Sequence, residues 1–217
     1  MIEQQTRPAA PAPTPSAPAA LAARLSCATA GGVAFGVLTL WLQGRLADSW
    51  NVLANSGAVW TVVAVALAAV FGTSRTTGAV AGLLSLLGEV AGYYWCAAPW
   101  HGVAVALDEQ VLWTAAAVLI GPVAGLVGHG LARGTGAQRV RAALCVAGLL
   151  AGEGWYDLRM AQNLVAARVE VALAALVAVA AVLISRASAA TRAVAVLLGC
   201  AVAAAVLLAY SGPWLVL

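Results

Sequence analysis

The sequence predicts an all-α fold, a polytopic transmembrane bundle of about seven helices. Three observations carry this. Of its 217 residues, 63% are hydrophobic and 9% charged, against about 45–50% and about 25% in soluble domains. The mean hydropathy is +0.95. The apolar residues fall into runs approaching the roughly 20 residues that cross a ~30 Å hydrocarbon layer.

In chain order, residues 1–20 are rich in Pro, Ala and polar residues. They cannot bury a core and are expected to form a disordered tail. They contain no positively charged n-region, apolar h-region and A-x-A site, so no cleaved signal peptide is expected. Residues 21–217 form a single transmembrane domain. Its apolar segments lie near 25–43, 58–72, 77–97, 110–131, 140–157, 166–185 and 190–210.

The second segment follows the run from Asp48 to Gly57, which is too polar for lipid. That run is an interfacial loop or a re-entrant one packed within protein. Residues Pro99 to Asp108 form a second interfacial stretch, and Gly121-Pro122 predicts a kink in the fourth segment. With the N-terminus inside, eight arginines (Arg7, Arg24, Arg75, Arg133, Arg139, Arg141, Arg186, Arg192) are cytoplasmic and three (Arg45, Arg159, Arg168) external. The excess predicts N-in and C-out in a bacterial plasma membrane.

The third segment contains the most informative residue. Glu89 lies far from either flanking charge, and Ser85, Glu89, Tyr93 and Cys96 share one helical face. Gly78 with Gly82, and Gly88 with Gly92, allow close helix neighbours. A lone charge there costs at least ~2.5–3.5 kcal/mol, which marks a functional position.

All eight Trp and four Tyr lie at or beyond the expected outer helix ends. They are an aromatic belt or the lining of a pocket. The acids Asp48, Glu89, Asp108, Glu109, Glu153, Asp157 and Glu170 share that side. Asp108 and Glu109 read as a solvated loop, and Glu170 as an acid favouring a helix N-terminus. Glu153 and Asp157, at i and i+4, point to one side. They form a salt bridge to Arg159 or Arg45, or they belong to a site.

Several function classes lack their parts. The net charge of +3 is too small and dispersed for nucleic-acid binding. The four Cys stand alone, without C-x-x-C or Cys/His clusters, so neither disulfides nor zinc are expected. The sequence contains no Asp-rich magnesium motif, no G-x-S-x-G elbow, no P-loop and no H-E-x-x-H. No metal and no cofactor is expected.

A carboxyl group in an apolar, aromatic-walled cavity is driven towards its neutral form, in which it can act as a general acid. Trp and Tyr faces stabilise cations by roughly 0.5–2 kcal/mol. Trp50-Asn-Val-Leu-Ala-Asn-Ser-Gly-Ala-Val-Trp60, Gly92-Tyr-Tyr94 and Gly152-Glu-Gly-Trp-Tyr156 resemble an uncharacterised family of actinobacterial multi-pass proteins over most of residues 30–185. The overall plan is similar to small integral-membrane terpene cyclases. That similarity implies about seven helices, no metal, and intramembrane acids that start cyclisation.

The expected function is protonation-initiated cyclisation of an isoprenoid chain taken from the bilayer. Glu89 is the expected general acid, with Glu153 or Asp157 as alternative acid or proton relay. Trp60, Tyr93, Tyr94, Trp113, Trp155, Tyr156, Asn51 and Asn55 would bind substrate. The second to fifth segments should converge at their outer ends on a cavity faced by Glu89, with Trp60, Tyr93, Trp113 and Trp155 nearby. The alternative is a transport or binding subunit capturing an amphiphile or cation at the outer face. A structural membrane protein is the third class.

Overall fold

The computed structural model describes residues 16–101, 107–185 and 187–211, and these are helical throughout apart from short connections. The elements are α1 (Ala17–Gln43), α2 (Asp48–Ala54), α3 (Gly57–Phe71), α4 (Arg75–His101), α5 (Leu107–Arg133), α6 (Gly136–Tyr156), a π-helical turn (Asp157–Ala161), α7 (Leu164–Ile184) and α8 (Ala189–Tyr210). The expected tail up to residue 15, residues 102–106 of the second interfacial stretch, Arg186 and Trp214 lie outside the described residues. So do the side chains of Asp48, Trp100 and His101.

Among the described residues five helices are long and apolar enough to cross a membrane: α1, α4 over Arg75–Ala97, α5, α7 over Leu164–Leu183, and α8. Helix α3 is apolar but has only 15 residues. Helix α6 is 21 residues long and is enclosed by neighbours along most of its length, from Val140 to Gly154. A helix shielded by protein needs less apolar surface than one facing lipid, which accounts for its lower hydropathy.

Three sequence expectations change. Helix α1 begins at Ala17, inside the expected tail, because Pro18 is favourable in a first turn and the Ala-rich run after it propagates helix. The polar run after Asp48 is a short helix that ends beside the buried Ser56. Asp108 and Glu109 are exposed in the first turn of α5 rather than in a loop.

The helices form two groups. In the first, α4 packs between α1 and α5, and α3 lies against α4 and α5. In the second, α6 carries α7 and α8 on its flanks. Contacts of α6 with α5 and α3, and of α2 with α7, join them. The seams are built on glycine. A Cβ on Gly36 would overlap the Glu89 carbonyl of α4, and one on Gly148 would overlap the Gly199 carbonyl of α8. Val65, Leu86, Val90, Val146 and Leu150 fill the core between the groups, with Trp60, Tyr94 and Trp113 packed against it. At one end Arg133 donates to the carbonyls of Ala69 (2.6 Å) and Val70 (3.5 Å), satisfying the C-terminus of α3.

Candidate functional site

The opposite end of α3 is the chemical centre of the molecule. A buried helix N-terminus leaves backbone N–H groups that need acceptors. Ser56, 2% exposed, is the N-cap, and its hydroxyl accepts the Val59 N–H at 3.1 Å. The Ala58 N–H donates to Glu153 Oε2 at 2.5 Å. The Gly57 N–H donates to the Tyr210 hydroxyl, which itself bonds Glu153. Acceptors from α6 and α8 thus converge on the first turn of α3, and the carboxylate is favoured by the helix dipole. A Cβ at Gly57 would lie 2.5 Å from the Tyr210 hydroxyl, so glycine is what admits that group.

Glu170 joins the same cluster. It is fully buried, and its Oε1 accepts the Ser56 hydroxyl at 2.8 Å. That hydroxyl lies between Glu170 and Glu153, in reach of both. The close approach of α7 to α6 depends on Gly154, where a Cβ would lie 3.1 Å from Glu170 Cβ. The expectation that Glu170 merely favours a helix start is therefore corrected. Helix α7 starts at Leu164, capped by Asn163, so Glu170 lies beyond its first turn and faces protein.

Asp157 opens the π-helical turn that follows α6 and is 4% exposed. The turn ends at Gln162 with φ 56°, and Asn163 then starts α7. The arginines expected as partners lie elsewhere: Arg45 stacks over Trp41 at 4.3 Å and Arg159 over Trp155 at 5.4 Å. Both Asp157 Oδ2 and Glu170 Oε2 are buried without a hydrogen-bond partner. An orphaned buried polar atom is uncommon, and its presence asks for an explanation.

Beside this cluster lies a cavity of about 270 Å³ between α1, α2, α3 and α7. That is slightly below the ~300–1,000 Å³ usual for ligand sites. Phe35, Leu42, Trp50, Leu53, Val59 and Leu173 form most of its wall, and Glu170 lines it.

Glu89 occupies a different place. It is fully buried on α4 where that helix meets α1. Its Oε1 is 3.5 Å from the Ser85 hydroxyl and its Oε2 has no partner. It lines neither this cavity nor a larger open groove along Ser26–Ala34 of α1. Neither of these two openings is therefore the cavity expected to be faced by Glu89 and four aromatics. Trp60 and Tyr93 do meet edge to face at 5.6 Å, and Tyr94 lies 5.2 Å from Tyr93. Trp113 packs on the same core. Trp155, however, is 51% exposed and faces away from the interior.

The other expected binding residues divide similarly. Tyr93 donates to Gln43 at 2.9 Å, and Gln43 donates to Asn55 at 3.0 Å, which ties α4 and α1 to the connection before α3. Tyr156 stacks on Tyr210 at 4.9 Å. Asn51 Oδ1 is buried and unpartnered. Ser56, Glu170 and Tyr210, which were not among the expected site residues, come together with Glu153, and Asp157 lies near enough to both glutamates to act on them electrostatically. The Asn163 cap was a readable signal, since it would have placed Glu170 outside the first turn. Among the described residues no group of three or more His, Cys, Asp or Glu is placed to hold a metal ion.

No curated protein and no solved structure matches this chain. A family model matches residues 15–214, nearly the whole of it. The chain belongs to that family, a family of unknown function designated DUF6518.

Proposed function

We propose that this chain is a seven-span protein of a bacterial plasma membrane, N-terminus inside and C-terminus outside, that captures an amphiphilic or cationic small molecule at its outer face. The distribution of arginine, eight against three, supports the orientation. The observation that carries the functional reading is the gathering of Glu153, Asp157 and Glu170 about the start of α3, with two carboxyl oxygens left without partners. Intramembrane acids that face a cavity rather than an arginine mark ligand or ion sites. Reporter fusions after Arg75, after Arg139 and at Leu217 test the orientation, and a cytoplasmic C-terminus would refute it. Equilibrium binding of a hydrophobic tetraalkylammonium to protein in nanodiscs tests capture. The variant combining Glu153→Gln, Asp157→Asn and Glu170→Gln should lose it, and unchanged binding would end this reading.

Acid-initiated cyclisation of an isoprenoid chain is the second reading. It is favoured by one observation: Glu170 borders an apolar cavity with further carboxyls beside it to accept a proton. Glu170 then takes the role expected of Glu89, which borders neither cavity. Membranes incubated with prenylated substrates in deuterated water, without added metal, should give a cyclised product carrying one deuterium. Product formation unaffected by Glu170→Gln, Glu153→Gln and Asp157→Asn would exclude the carboxyl mechanism.

A further inference from the structure

The cavity beside Glu170 has a definite polarity. Its depth is marked by Glu170, 0% exposed, and Thr39, 1% exposed; its mouth by Leu46, Trp50 and Leu173, each 38–49% exposed. Leu46 lies in the connection between α1 and α2, Trp50 on α2 and Leu173 on α7; α1 and α7, which wall the cavity, are both long, apolar helices. The cavity therefore opens between α7 and the stretch from Leu46 to Trp50, on a side walled by apolar helices. Its walls are apolar, as a hydrocarbon chain requires.

Its polar groups are few. The Thr39 hydroxyl is committed to the Phe35 carbonyl at 2.8 Å. Glu170 Oε1 is held by Ser56, whereas Oε2 is unpartnered. Glu153 and Asp157 lie near enough to act on Glu170 electrostatically. Among the described residues no arginine hydrogen-bonds to it, and Arg45 and Arg159 are stacked on tryptophan. A head group arriving at Oε2 thus meets a field of acids, with Phe35 and Trp50 on the wall as further cation-stabilising surfaces.

We infer that this cavity is a laterally entered seat for a single-chain cationic amphiphile, whose ammonium head is received by Glu170 Oε2 and whose alkyl tail lies along Phe35, Leu53 and Leu173. The inference rests on the capture reading above and assigns its ligand class and seat. A neutral long-chain alcohol would satisfy the hydrogen bond but not the charge, and a carboxylate would be repelled.

The test is photo-crosslinking in nanodiscs with a diazirine-bearing dodecylamine, and with dodecanol and dodecanoate analogues, followed by mapping of labelled peptides. Dodecylamine should label the facing stretches of α1, α2 and α7, at least about tenfold above the other two probes, as expected for a charge-assisted contact. Glu170→Gln should remove that preference. Leu173→Trp, which fills the mouth and leaves every acid in place, should remove the labelling itself, so the inference stays testable even if Glu170→Gln misfolds. Labelling spread evenly over the lipid-facing helices overturns the seat, as does equal labelling by dodecanol or labelling unchanged in Leu173→Trp. If tetraalkylammonium capture is still lost in the triple acid variant, the capture reading survives while this seat does not.

Discussion

Replacing Ser56 by alanine tests the arrangement on which the candidate site depends. Two interactions end at that hydroxyl: it accepts the Val59 N–H at 3.1 Å and donates to Glu170 Oε1 at 2.8 Å. Loss of an N-cap side chain typically costs ~1 kcal/mol. Loss of a buried hydrogen bond to an ionisable group costs about 1.5–3 kcal/mol and leaves Glu170 with neither oxygen held. The change removes one small atom at a site 2% exposed, so little packing is lost. Ser56→Ala should therefore destabilise the protein by about 2–4 kcal/mol. Unfolding in mixed micelles measures this. The double-mutant cycle with Glu170→Gln isolates the shared term, expected at about 0.5–3 kcal/mol. A Ser56→Ala effect below about 0.5 kcal/mol, with additive behaviour in the cycle, would mean that the two groups do not interact, and the reasoning about the cluster would fail.

Two further outcomes follow from the same geometry. Tyr210→Phe leaves the Gly57 N–H without an acceptor and should cost about 1–3 kcal/mol in the mixed-micelle assay. Gly36→Leu must push α1 off the Glu89 carbonyl and should abolish folded yield by size-exclusion chromatography, whereas Gly136→Ala, with nothing within 4 Å, should leave the yield unchanged.

The sequence alone determined the all-helical architecture and, the start of α1 and the short α2 aside, the boundaries of its helices. After α1, the largest differences are four residues, at Gly136 against an expected 140 and at His101 against an expected 97. Hydrophobic length and small-residue spacing are local properties, so Gly88 and Gly92 announced a tight seam before any partner was known. Glu153 and Asp157 were legible as a pair because i, i+4 spacing is likewise local. What the sequence could not supply was which faces meet. Ser56 and Glu170 are 114 residues apart, and Ala58 and Glu153 are 95 apart. Their union depends on α7 and α8 flanking α6 and on α6 reaching the start of α3. Helical periodicity places an acid on a face but leaves open whether that face meets lipid, glycine or another acid. Tertiary packing decided this for each acid: Glu89 went against α1, while Glu170 was moved from a helix-start role to the floor of a cavity.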